Sequence, residues 1–163
     1  MTNPAELYAT YAASVFRFAW YLCGDRALAE DITSETFVRA WTTPSAIDMQ
    51  TVKGYLFTIA RHLHVQLSKE RGRVAELDDT VADRAAGPHE QAVARDELDR
   101  VRAGLLALPE IDRTVLLMRA LDGLPYDEIA RATGLTLSAV KVKVHRARAR
   151  LGHLRGDDYE RHT

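Results

Sequence analysis

The chain has 163 residues, with 22 Lys plus Arg against 23 Asp plus Glu, a formal charge of −1 and 47% hydrophobic content, the composition of an ordinary folded protein of one domain or two small ones. A single cysteine, Cys23, excludes an internal disulfide framework and a zinc-thiolate cluster. No window resembles the ~20 apolar residues of a membrane span, and the opening MTNPAELYAT has no basic leader, so the cytoplasm is the expected location.

The near-zero charge hides an uneven distribution. Residues 1–70 hold six basic and seven acidic side chains, net −1; residues 71–97 hold four and seven, net −3; residues 98–163 hold twelve and nine, net +3. An acidic middle and a basic end suggest a connector followed by a nucleic-acid surface.

Helical spacing runs through the chain. Asn3-Pro4-Ala5-Glu6 predicts an N-cap, a proline at the first helical position and a capping-box glutamate. Leu7, Tyr11, Val15, Phe18 and Leu22 then recur at threes and fours as one buried face, and Gly24 ends the helix. Asp25 caps a second helix with Leu28, Ile32, Phe37 and Trp41 inside. Thr42 to Gly54 breaks the pattern and predicts a loop. A third helix is predicted from about Tyr55 to Arg71, with Leu56, Ile59, Leu63 and Leu67 on one side.

The apolar stripe fades from Gly72 to Ala94, an acidic stretch containing Gly87-Pro88, which predicts a flexible linker. The expected division is 1–71 first domain, 72–94 linker and 95–163 second domain. The second domain opens with Leu98, Val101, Leu105 and Leu108 as an apolar face. Pro109 starts a helix carrying Val115, Leu116 and Met118, stopped by Asp122-Gly123; Pro125 starts a short one, stopped by Gly134; Thr136 caps the last. No strand pattern is present, so the expected class is all-α, two small helical domains on a flexible linker. Modules of this size have thin cores.

The stretch YDEIARATGLTLSAVKVKVHRARARL, Tyr126 to Leu151, joins a short helix, a glycine turn and a second helix, which predicts a helix-turn-helix. Val140, Val144, Ala147 and Leu151 make the last helix's buried side. At 100° per residue, Ser138, Val142 and His145 point nearly opposite, with Lys141, Lys143, Arg146 and Arg148 on the flanks. Outward residues near the start of such a helix can meet base edges in the major groove while flanking cations meet phosphates. The competing reading is a basic amphipathic helix that faces water or an acidic protein.

LLALPEIDRTVLLMRALDGLPYDEIARATGLTLSAVKVKVHRARARL resembles region 4 of bacterial sigma factors, AEDITSETFVRAW resembles region 2.2, and GYLFTIARHLHVQLSKER resembles regions 2.3 and 2.4. The two blocks, in this order and with no room for further sigma domains between them, resemble the extracytoplasmic-function (ECF) sigma factors of the sigma-70 family. The resemblance implies a transcription initiation factor that joins core RNA polymerase, docks on the β′ clamp helices and the β flap, and recognises the minus-10 and minus-35 promoter elements. It also implies an anti-sigma factor that can hold the protein inactive at the membrane, without insertion of this chain itself. Polymerase contacts carry over to Asp31, Glu35, Phe37 and Arg39. Minus-10 contacts carry over to Ser45, Asp48 and Gln50 in the loop and to Tyr55, Arg61, His62, Gln66 and Lys69 on the third helix. Minus-35 contacts carry over to Thr136, Ser138, Lys141, Val142, Lys143, His145, Arg146 and Arg148. Ser34, His62, Gln66 and Val142 depart from residues common in the family.

Other classes fit less well. A regulator carrying the same helix-turn-helix would need a sensor domain, and residues 1–71 show no βα alternation and no phosphate-binding glycine loop. An enzyme would need a nucleophile motif or a metal set. His62 and His64 are two apart and cannot share a helix face; His89, His145 and His153 have no Cys or carboxylate at ligand spacing. No cofactor, metal or catalytic residue is expected. A degenerate protein-interaction module would not need the basic helix.

Overall fold

The structure, a computed structural model, describes residues 3–42, 51–77 and 96–159, with side chains for 3–42, 51–72 and 98–152. These residues form α1 (Pro4–Cys23), α2 (Arg26–Thr42), α3 (Val52–Leu77), α4 (Asp96–Ala107), α5 (Glu110–Asp122), α6 (Tyr126–Thr133) and α7 (Leu137–Tyr159). Among the described residues there is no strand.

The helix ends follow local chemistry. Asn3 Oδ1 accepts the Glu6 N–H at 2.8 Å, and Pro4 fills the first helical position. Gly24, at φ 73°, closes α1 by donating its N–H to the Trp20 carbonyl. Asp25 Oδ1 accepts the Leu28 N–H at 3.2 Å and caps α2. The third helix begins earlier than its apolar stripe suggests. Thr51 Oγ1 accepts the Gly54 N–H at 3.0 Å, so Gly54 lies inside the first turn rather than ending a loop. At its other end α3 continues past Arg71 to Leu77, into the first residues of the expected linker; residues 78–95 lie outside the described set.

In the first module, α1, α2 and α3 bury Val15, Phe18, Leu22, Ile32, Leu56 and Leu63 almost completely. Phe18 stacks on Phe57 with ring centroids 4.7 Å apart and planes 12° apart. Trp41, expected inside, is 48% exposed. The Tyr8–Phe37 ring contact already lies near the start of α1, and Trp41 is one turn further along α2, where α1 has run out.

In the second module, α5 supplies Val115, Leu116, Leu117 and Met118, which meet Ile129, Val140, Val144 and Ala147 in the core. Leu98 and Val101, expected on the buried face, are 46% and 38% exposed. Helix α4 docks through its C-terminal half instead, burying Leu105, with Leu108 just past its end.

The buried apolar side chains of the two modules form one cluster, and polar contacts also cross between them. Glu110 of α5 pairs with Arg61 of α3 at 3.2 Å. Asp122 meets Lys53 at 3.5 Å and Arg17 at 4.0 Å. Glu128 of α6 is fully buried and accepts the Thr51 hydroxyl at 3.0 Å. Arg102 of α4 donates to the Gly24 carbonyl at 3.1 Å and lies 5.0 Å over the Trp20 ring. Leu106 fills the space beside Gly24, where an added Cβ would come within 2.8 Å of it.

Phe18→Ala removes one ring of the only stacked pair found among the fully buried side chains described. Urea denaturation followed by circular dichroism should show a loss of about 3–5 kcal/mol, because so small a core cannot close over the cavity.

Candidate nucleic-acid and polymerase interface

Helices α6 and α7 are the two arms of the helix-turn-helix. Gly134 takes φ 75° and donates its N–H to the Ala130 carbonyl at 2.9 Å, a conformation that favours glycine. Thr136 Oγ1 accepts the Ala139 N–H at 3.1 Å and starts α7. Arg119 pins the start of α6, donating to the Leu124 carbonyl at 3.1 Å and lying 4.5 Å over the Tyr126 ring.

Val140, Val144 and Ala147 are buried, as their spacing predicts, and hold one side of α7 against the core. Thr136, Ser138, Lys141, Val142, His145 and Arg148 are exposed. Val142, at 60% exposure, presents an apolar tip in the middle of this polar face. Lys143 and Arg146 behave differently. Both reach back to Asp112 on α5: Arg146 by two hydrogen bonds of 2.9 and 3.0 Å, Lys143 with Nζ 3.6 Å away. The Asp112 side chain is fully buried. Two of the four flanking cations are thus shared between the protein's interior and its surface.

On the first module, Arg61, His62, Gln66 and Lys69 line one open groove along α3, together with Val65 and Glu70. Arg61 also turns toward the second module, to Glu110. Tyr55 lies two turns earlier on α3 and is half-buried. Ser45, Asp48 and Gln50 lie outside the described residues. Asp31 and Glu35 sit one turn apart on α2. Asp31 is exposed, with Arg71 at 3.7 Å; Glu35 pairs with Arg39 at 3.4 Å. Phe37 is only 9% exposed and packs edge-on to Tyr8, so it supports this face from beneath.

The buried ionisable groups that were not anticipated include Asp112, Glu128 and His64. Asp112 and Glu128 are held by partners far along the sequence, Arg146 being 34 residues from Asp112 and Thr51 77 residues from Glu128, whereas His64 has Ser68 Oγ at 3.2 Å one turn along its own helix. The only local signal was an acidic residue just inside a helix beginning after a proline, which fits a solvated first turn equally well. His64 of α3 is 5% exposed and lies under the second module. Burial chiefly pushes its imidazole down, from 6.5 to about 4; Glu110 opposes the shift, and Arg113 and Arg61 add to it. Burial also raises the Cys23 thiol, which keeps it protonated and unreactive. Among the described residues, no group of His, Cys, Asp and Glu could hold a metal ion, and no helix is long and apolar enough to cross a membrane.

Two helical modules, one bearing a helix-turn-helix with a cationic outer face, define a transcription-factor architecture. Comparison with known proteins narrows it. Residues 7–74 match the model of Sigma-70 region 2, and residues 98–151 match that of Sigma-70 region 4. The chain is 30% identical to the ECF RNA polymerase sigma factor SigM of Bacillus subtilis over 148 residues, covering 90% of this chain and 91% of that protein. It is also 30% identical to the ECF sigma factor SigE of Mycolicibacterium smegmatis over 156 residues, 93% of this chain but only 61% of that longer relative. Among solved structures, the sigma factor RpoE in complex with the anti-sigma factor NepR from Bartonella quintana aligns with a TM-score of 0.75 at 26% identity, covering 90% of this chain and 92% of that one. CnrH in complex with the cytosolic domain of CnrY aligns at 0.70 and 25% identity, covering 95% and 88%. The chain belongs to the ECF sigma factors of the sigma-70 family.

The depressed His64 predicts a specific acid response. The unfolded chain binds a proton below pH 6.5 that the folded chain refuses until about pH 4. The stabilising effect of a neutral, buried imidazole is therefore complete above pH 6.5 and declines toward pH 4, by an amount on the order of 3 kcal/mol. Urea melts across that window should show a shallower decline for His64→Gln than for the wild type, by about that difference.

Proposed function

We propose that this ECF sigma factor joins core RNA polymerase through the α2 face of Asp31, Glu35 and Arg39, with Phe37 beneath it, and through its second module on the β flap. In the same reading it directs the enzyme to promoters through two further surfaces. The exposed face of α7 enters the major groove of the minus-35 element. Ser138, Val142 and His145 face the bases, Thr136 lies at the helix start, and Lys141 and Arg148 meet phosphates, with Lys143 and Arg146 beside them. The α3 groove of Arg61, His62, Gln66 and Lys69 lies along the opened minus-10 element, and Tyr55, an aromatic ring earlier on the same helix, stacks on an unpaired base. Phosphodiester chemistry stays with the polymerase. The observation that carries this reading is the outward face of α7: three free positions for base edges between exposed cations, on a helix whose other side is buried.

An anti-sigma factor belongs to the same proposal. The solved relative RpoE of Bartonella quintana is held in complex with the anti-sigma factor NepR, and CnrH with the cytosolic domain of CnrY. In this chain the modules share a buried apolar cluster and are also joined by ion pairs such as Arg61–Glu110 and Lys53–Asp122, polar contacts that a binding protein can compete for. The division at residues 71 and 95 is part of this reading.

Run-off transcription with purified core polymerase and genomic fragments tests it. Transcripts that require this chain support the reading, and the same products from core polymerase alone refute it. In parallel, Asp31→Ala with Glu35→Ala should weaken core binding about tenfold or more, while duplex binding by the full chain stays unchanged. Wild-type affinity in that double variant would show that the α2 face is not the docking surface.

A further inference from the structure

Asp112 lies in the first turn of α5 with its side chain entirely out of water. Arg146 spends Nε and Nη2 on its two oxygens, at 2.9 and 3.0 Å. These are the donors along one side of the guanidinium. The donors at its end, on Nη1 and the outer hydrogen of Nη2, have no partner among the described residues, and the side chain is 47% exposed. Lys143 brings a second cation to within 3.6 Å of the carboxylate.

An arginine tied along its side and free at its end is a two-pronged donor with its rotamer already fixed. A phosphate contact gains little from such aiming, because its oxygens accept from many directions. A base edge gains much. The end-on pair of N–H groups matches O6 and N7 of guanine, and no other base presents two acceptors at that spacing in the major groove. Fixing the side chain beforehand also removes the ordering cost that a free arginine meets on binding.

The geometry points to Asp112 as a positioning residue for sequence reading, which aims Arg146 end-on at a guanine in duplex DNA rather than leaving it as one more phosphate contact. This rests on the reading of α7 as the groove-entering helix. It assigns a role to a buried residue that touches no DNA, and it predicts that the minus-35 element contains a guanine whose recognition depends on both residues.

The test is selection of short random-sequence duplexes by the full chain assembled with core polymerase, compared with core polymerase alone. The wild type should enrich a guanine at a position where replacing it with 7-deazaguanine, which lacks the N7 acceptor, weakens binding on the order of tenfold. Asp112→Asn and Arg146→Lys should each lose preference at that position alone, and combining them should add nothing. Enrichment without a guanine sensitive to the 7-deaza change overturns the inference. So does an Asp112→Asn variant that keeps the wild-type preference, or one that weakens every sequence alike. Should Asp112→Asn fail to fold, as judged by its helical circular dichroism, the wild type on 7-deazaguanine and Arg146→Lys still decide the matter. Absence of any enrichment over core polymerase refutes the sigma-factor reading itself, an outcome distinct from the others.

Discussion

A carboxylate taken out of water must be matched by donors or cations, and three such groups organise the second module of this protein. Asp112 draws Arg146 and Lys143 inward and so fixes α7 on α5. Asp122 and Glu128 reach the other way, to Lys53, Arg17 and Thr51 of the first module. Apolar packing of Val140, Val144 and Ala147 decides which side of α7 faces inward. The carboxylates decide where its cations can go and which face of the module meets its neighbour.

The two sets of contacts differ in quality. Asp112 accepts two hydrogen bonds from Arg146 and has the Lys143 ammonium 3.6 Å away. Asp122 and Glu128 each keep one buried oxygen without a partner, and burial raises the Asp122 carboxyl against the opposing pull of Lys53 and Arg17. Buried ion pairs of this kind return little net stability over their hydrated state. Within the module the charge network therefore acts as a rigid mount, and between modules it acts as a contact that can be exchanged for water or for another partner.

Much of this was legible in the sequence because it depends on local chemistry. Asn3, Asp25 and Thr136 accept backbone N–H groups at helix starts, Gly24, Gly123 and Gly134 take left-handed conformations at helix ends, and the helix-turn-helix follows from their spacing. The outward placement of Ser138, Val142 and His145 followed from helix period alone. What failed or was missed depends on where an element ends or on contacts distant in sequence. Trp41 and Leu98 carry the apolar period past the point where a neighbouring helix is present to cover them. His64, Asp112 and Glu128 sit at positions whose periodicity does not separate a solvated charge from a buried one. The flanking cations of α7 read as equivalent, and only the fold separates the two engaged by Asp112 from Lys141 and Arg148.

The salt dependence of duplex binding tests that separation most directly. If the buried carboxylate claims Lys143, then Lys141→Ala or Arg148→Ala should each reduce the slope of log affinity against log salt by about 0.9, whereas Lys143→Ala should change it much less. Equal flattening by Lys143→Ala and Lys141→Ala would contradict the account, because it would mean that Asp112 does not withdraw Lys143 charge from the DNA.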